Sequence, residues 1–373
     1  MRGIRALALI IVAGTLLATV SACASPGASG EFEPPGARLT PGPTPAARPG
    51  ASVVVVGMPS LIVRSTDGGA RWEQVHRSPN GWMEAESLPV LWSVVVASER
   101  DGWAVGAAGV FASGDGGGSW RAVASPPDVD PNAVAAVGPD HVWVVGDLKD
   151  PGGQQPFELT AAVLASSDGG ATWRRQRVPP LASLTDVVFA DARHGWALGG
   201  EGPDYESVVL VTDDGGAHWR RRRTPPGRRL SAIACVDRRH LWISAGQSNA
   251  DPQKAHASSI LATADGGGTW KEQYAAPSGS LTDVCFVDGD HGWVVGIHGT
   301  ILHTTDGGAT WRPQKAPPNA QGLSAVSFSD AEHGWIVAEK SALLATSDGG
   351  STWTVVKPLG GHDMLTDVVA FGP

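Results

Sequence analysis

From residue 51 onward, the hydrophobic positions fall into short runs of four to six residues that are separated by Gly, Asp or Pro. In one unit these runs are 281–286, 292–296, 300–304 and 310–314. Short apolar runs bounded by turn residues are typical of β-strands. Four such strands, in a unit that repeats every 41 to 53 residues, predict one blade of a β-propeller.

Seven copies of one turn motif punctuate these units. Each copy reads Ser or Thr, any residue, Asp-Gly-Gly, two further residues and Trp. The Asp can accept hydrogen bonds from nearby backbone N–H groups, and the Gly residues can adopt positive φ. Each copy is therefore predicted to be the turn between the third and fourth strands of its blade. The seven aspartates, for which we predict a structural role, are Asp67, Asp115, Asp168, Asp214, Asp265, Asp306 and Asp348.

A second recurring tryptophan precedes six of these turns, at Trp103, Trp143, Trp196, Trp242, Trp293 and Trp335. The two motifs account for 13 of the 15 Trp residues and leave Trp82 and Trp92 outside the repeat. The excess of Trp over 7 Phe and 2 Tyr therefore marks repeated structural positions and not an aromatic binding surface.

The two ends of the repeat region complement each other. The first unit begins at 52–57, which aligns with a second strand, so this unit lacks a first strand. The segment 365–369 repeats the first-strand pattern of 184–188. We therefore predict an all-β, seven-bladed propeller of four-stranded blades, in which the C-terminal strand pairs into the first blade and leaves no open sheet edge there.

The turn motif resembles the Asp-box, or BNR, repeat of sialidases, xyloglucan hydrolases, sorting receptors and photosystem II assembly factors. The His-Gly-Trp segment at 291–293, followed by an Asp-box, is most similar to the photosystem II assembly/stability factor-like family. This resemblance implies a sialidase-like fold without the sialidase catalytic motifs. It also implies a non-catalytic, protein-binding role in assembly or stability.

The first 50 residues are predicted to lie outside the propeller. Arg2 and Arg5 precede an uncharged apolar run, 6–20, which is typical of a signal peptide. Val-Ser-Ala before Cys23 resembles a bacterial lipobox, so we predict a signal peptide at 1–22 and a lipid on Cys23. The Pro- and Gly-rich segment 23–50 is then a disordered linker, and 51–373 the propeller. This predicts a protein on the extracytoplasmic side of the cell membrane; the alternative is an ordinary signal peptide and a released protein.

Alternating strand direction divides the turns between two faces. We call the face with the Asp-boxes and the turns between first and second strands the box face, and the opposite one the loop face. The long links 147–160, 201–206, 247–258 and 76–89 all belong to the loop face. Loops on a rigid scaffold often bind partners, so Trp82, Met83 and Tyr205 are candidate partner-binding residues. Tolerated insertions explain these links equally well.

Charge indicates a second candidate surface. The net charge of −9 argues against binding to nucleic acid. The segment 174–239 nevertheless contains 12 Arg and eight acidic residues. Within it we predict that Arg221, Arg223, Arg228 and Arg229 contact an acidic partner or surface, with Arg228 and Arg229 in the link that follows the fourth blade. A solvated strand face is the alternative interpretation.

The residues favour a protein that is not an enzyme. A sialidase needs an arginine triad and a Tyr–Glu pair, but the only tyrosines are Tyr205 and Tyr274. A secreted, sialidase-like glycoside hydrolase is kept as the alternative function. Asp186, Asp283 and Asp367, on predicted inner strands, are interpreted as hydrogen-bonding between blades. The sequence therefore predicts a monomeric scaffold that binds an unknown protein or cell-surface ligand.

No metal or cofactor is predicted. Five histidines recur once per blade at the first turn, where their side chains diverge and cannot share a metal ion: His141, His194, His240, His291 and His333. Cys235 and Cys285 are predicted on the inner strands of adjacent blades. Both a disulfide between them and two free, buried thiols fit the pattern.

Overall fold

The four-strand repeat folds as the sequence predicts. A computed structural model describes residues 51–77, 90–149, 160–201, 206–247, 258–277, 279–356 and 364–372. The described residues form seven antiparallel four-stranded sheets, which are the blades of the propeller. Within these ranges no helix is long and apolar enough to cross a bilayer.

The strands run in chain order from the inner strand of each blade, next to the axis, to its outer strand. Blades 1 to 4 contain β1 (Ser52–Met58), β2 (Leu61–Ser65), β3 (Glu73–His76); β4 (Leu91–Val96), β5 (Gly102–Gly106), β6 (Gly109–Ser113), β7 (Arg121–Val123); β8 (Val129–Val137), β9 (His141–Leu148), β10 (Ala161–Ser166), β11 (Arg174–Gln176); β12 (Ser183–Phe189), β13 (Gly195–Glu201), β14 (Glu206–Thr212) and β15 (Arg220–Arg222).

Blades 5 to 7 follow the same order. They contain β16 (Arg228–Cys235), β17 (Leu241–Gln247), β18 (Ser258–Thr263), β19 (Lys271–Ala276); β20 (Leu281–Phe286), β21 (His291–Gly296), β22 (Thr300–Thr305), β23 (Arg312–Lys315); β24 (Leu323–Phe328), β25 (Gly334–Ala338), β26 (Ala342–Thr346) and β27 (Thr354–Val356). The last strand, β28 (Met364–Phe371), belongs to blade 1.

The ring closes as predicted. β28 pairs antiparallel with β1, with Val368 opposite Val55, and becomes the inner strand of blade 1. The N-terminal segment of the propeller thus supplies the second strand of a blade whose first strand comes from the other end of the chain. This pairing covers the inner edge of β1.

Aromatic residues pack the blades against one another. The Trp143 indole of blade 3 stacks on Phe189 of blade 4, with ring centroids 3.6 Å apart, and Phe189 meets Trp219 edge-on at 5.9 Å. The same arrangement recurs between later blades in two sets, Trp242–Phe286–Trp311 and Trp293–Phe328–Trp353. The two recurring tryptophans therefore form the interface between blades, which confirms their predicted structural role.

Indole hydrogen bonds add direction to this packing. The Trp143 Nε1–H donates to the carbonyl of Gly215, in the Asp-box of the next blade, at 3.0 Å. Trp103, Trp196, Trp242 and Trp293 make the equivalent bond. Each of these blades is therefore joined to the next blade by an indole hydrogen bond as well as by the packing of its apolar side chains.

Two strand boundaries differ from the sequence-based expectation. The outer strand of blade 6 begins at Arg312 and not at Thr310, because the Thr310 N–H is bound to Asp306 and stays in the turn. Arg228 and Arg229 were expected in the link after blade 4. They instead begin β16, where they pair with Gln247 and Gly246.

Candidate functional site

The Asp-box turns use their polar groups internally. In blade 3, Asp168 Oδ1 accepts hydrogen bonds from the Ser166 hydroxyl at 2.7 Å and from the Thr172 N–H at 2.8 Å. Asp168 Oδ2 accepts a bond from the Thr172 hydroxyl at 2.6 Å. The Ser166 oxygen in turn accepts the Gly170 N–H at 2.8 Å. Gly169 and Gly170 have φ of 67° and 88°, values that glycine adopts without steric cost.

These bonds hold the box carboxylates in their ionised form. The Thr172 hydroxyl, followed by the Thr172 N–H and the Ser166 hydroxyl, lowers the pKa of Asp168 to about 2. The pKa is also lowered to about 2 in Asp115, Asp214, Asp265 and Asp306. A carboxylate that stays ionised and bonded to its own turn is poorly placed to act as an acid or a nucleophile.

The histidines in the turns between the first and second strands, like the box aspartates, mostly bond to neighbouring residues of the same turn. His194 Nδ1 lies 2.8 Å from Asp191 Oδ2, and His240, His291 and His333 each meet the Asp three residues earlier. His141 instead stacks on Trp143, with centroids 6.1 Å apart. Among the described residues, no group of His, Cys, Asp and Glu side chains is arranged to hold a metal ion.

The two described cysteines are free thiols. They lie on the inner strands β16 and β20, as predicted. Burial raises the pKa of both thiols to about 12. Of the two alternatives left open by the sequence, the structure has the pair of partly buried, unreactive thiols.

Arginines concentrate on the outer strands of blades 3 and 4. We call the exposed arginines of β11, β15 and the residues that follow them the arginine rim: Arg174, Arg175, Arg177, Arg220, Arg221, Arg222 and Arg223. Three of them are held by acids. Arg175 Nη2 lies 2.6 Å from Asp128 Oδ2, Arg220 Nη2 lies 2.6 Å from Asp213 Oδ2, and Arg221 Nη1 lies 2.6 Å from Glu201 Oε2.

The other four members of the arginine rim have no such partner. Arg174, Arg177, Arg222 and Arg223 are exposed and make neither an ion pair nor a side-chain hydrogen bond with any described residue. Two of them lie in each of two adjacent blades, so four positive charges that no described residue pairs share one side of the ring. A carboxylate-bearing partner could form bidentate hydrogen bonds with guanidinium groups so placed.

A cleft lies beside the arginine rim, between blades 3 and 4. Its volume is about 700 Å³. Arg174, Arg175 and Arg177 line one wall, the backbone of the blade 4 Asp-box lines the other, and Trp143 and Trp173 contribute apolar surface. The cleft therefore combines positive charge with aromatic contact area on a rigid wall of strands.

The predicted lipid-attachment and partner-binding residues lie in different parts of the structure. Cys23, Trp82, Met83 and Tyr205 lie outside the described residues, and their predicted roles stay predictions. Arg221 and Arg223 both lie in the arginine rim. Arg228 Nη2 lies 2.6 Å from Glu272 Oε2, and Arg229 is half-buried and also has a partner.

Three unpaired arginines of the rim, Arg174, Arg177 and Arg222, were not among the predicted binding residues. The signal for them was present in the sequence. Arg174 and Arg177 follow the box tryptophan of blade 3 by one and four residues, and Arg220 and Arg223 follow that of blade 4 at the same spacings. Aligning the two repeats would have shown adjacent basic outer strands.

Comparison with known proteins agrees with this architecture. A family model described as "Photosynthesis system II assembly factor YCF48" matches residues 269–364. No curated protein matches the sequence. Two similar solved structures are YCF48 bound to a D1 peptide and YCF48 from Cyanidioschyzon merolae.

These likenesses extend over most of both chains. YCF48 bound to the D1 peptide is 18% identical, with a TM-score of 0.52, over 71% of this chain and 81% of that one. The Cyanidioschyzon merolae protein is 17% identical, with a TM-score of 0.54, over 82% and 90%. An ancestral GH74 enzyme is 13% identical, with a TM-score of 0.50, over 87% and 56%.

At these identities, similarity to the solved structures establishes the fold, and the family match adds a sequence signature over residues 269–364. The predicted resemblance is thereby confirmed. The chain is a seven-bladed Asp-box propeller that resembles the photosystem II assembly factor YCF48.

Proposed function

We propose that this propeller is a non-catalytic, monomeric scaffold that binds a protein partner on the extracytoplasmic side of the membrane and assists the assembly or stability of a membrane complex. The similarity to YCF48, one structure of which contains a D1 peptide, supports a peptide- or protein-binding role. The observation that carries the proposal is the arginine rim beside the cleft between blades 3 and 4.

The charge of the arginine rim favours an acidic partner segment. The whole chain carries a net charge of −9, yet four arginines that pair with no described residue are exposed on one side of the ring. The local positive charge attracts an acidic segment to that site, and the negative charge on the rest of the protein repels it. Because exposed charges are screened, the complex should weaken as the salt concentration rises.

Affinity purification tests this surface. Replacing Arg174, Arg177, Arg222 and Arg223 with Ser should abolish recovery of the partner while the thermal unfolding midpoint is retained, since these exposed side chains make no ion pair or hydrogen bond with a described residue. A matched control replaces exposed basic residues of the outer strands of blades 5 and 6, Lys271, Arg312 and Lys315, with Ser. If the control loses the partner as completely as the rim variant, the arginine rim is not the binding surface.

The anchor forms part of the proposal. Cys23 follows the lipobox-like Val-Ser-Ala, and segment 23–50 would serve as the tether between the lipid and the propeller. Replacing Cys23 with Ser should move the protein from the membrane fraction to the medium or a soluble fraction, because a protein without acyl chains has no stable anchor. Retention of the variant in the membrane fraction would show that another segment or partner holds it there.

A secreted glycoside hydrolase is the alternative function. We retain it because an ancestral GH74 enzyme has a similar fold. Glycoside hydrolysis needs two carboxyl groups about 5 to 9 Å apart. The box aspartates are distributed one per blade and are bonded within their turns, which supports the non-catalytic proposal. Turnover of any substrate in a fluorogenic glycoside panel, if abolished by one carboxylate substitution, would replace this proposal with the enzymatic one.

A further inference from the structure

Three aspartates lie on the inner strands, where the sheets face the axis of the propeller. Asp186 is on β12 of blade 4, Asp283 on β20 of blade 6 and Asp367 on β28 of blade 1. Each directly follows a one-residue irregularity in the pairing with the second strand. The three occupy equivalent positions in their blades.

Each carboxylate joins two blades. Asp186 Oδ1 accepts the Val187 N–H of its own strand and Asp186 Oδ2 accepts the Ile233 N–H of blade 5, both at 2.8 Å. Asp283 accepts the N–H of its neighbour Val284 at 2.8 Å and that of Val326 in blade 7 at 2.7 Å.

Asp367 repeats the pattern across the closure of the ring. It accepts the Val368 N–H of β28 and the Val94 N–H of blade 2, both at 2.8 Å. Together the three carboxylates bind one N–H in each of six blades, all except blade 3. The inner edge of an inner strand has no neighbouring strand to satisfy its N–H groups, and these carboxylates take that place.

Among the residues that the structure describes, no cationic side chain interacts with these three carboxylates. The strands packed against Asp367 and Asp283 carry no charged residue on β1, which is in the same sheet as Asp367, or on β4, β24 and β25 of adjacent blades. On β16, which faces both Asp186 and Asp283, Arg228 and Arg229 lie four to five residues from Ile233, about 13 to 16 Å along the strand.

The remaining titratable groups on the neighbouring strands lie at strand ends. Asp130, Asp147 and Glu201 are at the loop-face ends of β8, β9 and β13, and His141 and His291 are at the box-face starts of β9 and β21. The Cys285 thiol lies two residues beyond Asp283 on the same strand, and the charge of Asp283 helps to raise the pKa of this thiol. Ser93, which is uncharged, donates a hydroxyl hydrogen bond to Asp367.

The aspartates thus act mainly on one another. Each is half-buried, and both of its carboxylate oxygens lie against backbone N–H groups of two adjacent inner strands. Burial raises the pKa of Asp186 to about 7 and that of Asp367 to about 6, and it raises the pKa of Asp283 well above its usual range. The charge of Asp367 adds to the shift in Asp186 and in Asp283.

We propose that these three carboxylates form a proton-dependent latch between blades, so that the propeller is most stable in mildly acidic solution and loses stability as the pH rises through neutrality. The unfolded chain releases the protons of Asp186 and Asp367 near pH 4, whereas the folded chain retains them to about pH 7 and about pH 6, and the pKa of Asp283 is shifted in the same direction. The folded state therefore binds more protons between these limits. Its stability from this source is complete below about pH 4 and is lost as the pH rises through 6 to 7.

Two histidines have the opposite effect on the pH dependence of stability, and their contribution must be distinguished from that of the three aspartates. Burial lowers the pKa of His76 and of His303 in the folded state. For these groups the unfolded state binds more protons, so their contribution to stability rises with pH and is lost as the pH falls. A comparison of wild type with variants of the latch cancels the histidine contribution.

The test is the pH dependence of unfolding from about pH 5 to about pH 8 in the wild type and in Asp186→Asn, Asp283→Asn and Asp367→Asn. Asn has the size of Asp but carries no charge at any pH. Each titrating aspartate should raise the unfolding equilibrium constant by up to about tenfold per pH unit in its window, and each Asn variant should lose that dependence. Asp140→Asn, an exposed aspartate in a turn of blade 3, should keep the wild-type dependence.

A second measurement covers the case in which a latch variant fails to fold. Carbon-13 NMR of wild type labelled at the aspartate carboxyl groups should show resonances that titrate about two or more pH units above a free aspartate, whose pKa is near 3.9. Aspartate resonances that all titrate at or below about pH 4, or Asn variants with the wild-type pH dependence, would overturn the latch.

Discussion

The Asp367 carboxylate on the last strand of the chain accepts a hydrogen bond from the Val94 N–H of blade 2 at 2.8 Å. Thr366, its neighbour, donates its hydroxyl to the Leu91 carbonyl of the same blade. β28 therefore does more than complete the first sheet: it also joins blade 1 to blade 2. The C-terminal strand thus pairs with β1 inside blade 1 and also bonds to blade 2.

Deleting residues 364–373 should consequently destabilise the propeller far more than deleting 24–50. The first deletion exposes the edge of β1, where Val54, Val55 and Val56 are fully buried, and removes the bonds to blade 2. Thermal unfolding of the two truncated proteins, compared with the full chain, measures the difference. Equal unfolding midpoints would mean that closure contributes little to stability.

The hydroxyl that begins each Asp-box should contribute more to stability than the hydroxyl near its end. In blade 7, Thr346 is 3% exposed, and its oxygen accepts the buried Gly350 N–H at 2.9 Å while it donates to Asp348. Thr346→Val leaves that N–H without a partner and should cost about 1 to 3 kcal/mol in the free energy of unfolding.

Thr352→Val is the matched control for this change. Thr352 lies in the same box and bonds the same aspartate, but its hydroxyl is exposed to water. Its loss should cost no more than about 0.5 kcal/mol, the usual range for a surface substitution. Chemical denaturation of both variants gives the two values, and a Thr352 variant as unstable as the Thr346 variant would contradict the proposed hierarchy.

The Gly of the Gly-Trp motif should resist substitution where a Phe ends the inner strand. A Cβ on Gly292 would lie 2.4 Å from ring atoms of Phe286, which is stacked on Trp242 with centroids 3.6 Å apart. The ring has little room to move, so Gly292→Ala should destabilise the protein by about 1 to 3 kcal/mol. Gly289→Ala, at a position with no atom within 4 Å of the added Cβ, should be close to neutral.

Acid should unfold the propeller by protonating the Asp-boxes. The folded-state pKa of Asp168, Asp265 and Asp306 is lowered to about 2, so the folded state holds fewer protons than the unfolded state. This stabilisation is present above about pH 4 and is lost as the pH falls through 2. Unfolding measured at decreasing pH should show the loss, and Asp306→Asn should reduce its steepness; an unchanged steepness would argue that other groups control acid unfolding.

The repeat made most of the fold predictable from the sequence. The Asp-box is a local motif in which the hydrogen bonds of the Ser or Thr and Asp side chains all lie within seven residues, so its sequence alone specifies its turn geometry. The closure was predictable because segment 365–369 repeats the pattern of 184–188. The axial aspartates were likewise expected to bond between blades, and Asp186 and Ile233 confirm this.

The pairing of charges was not predictable in the same way. Arg221 is compensated by Glu201, twenty residues earlier, and Arg228 by Glu272, on the outer strand of blade 5. Nothing in the repeat specifies which acid reaches which arginine, because these side chains are long and their positions vary from blade to blade. The unpaired members of the arginine rim could be identified only once those contacts were known.

The measurement that separates a specific binding surface from a merely basic one is in-cell photo-crosslinking from matched positions. Arg223 and Lys315 each follow the box tryptophan of their blade by four residues, and both are exposed. A photoreactive residue at 223 should capture one discrete protein partner, and the same residue at 315 should not. Equal capture from both positions, or none from 223, would contradict a partner-binding role for the arginine rim.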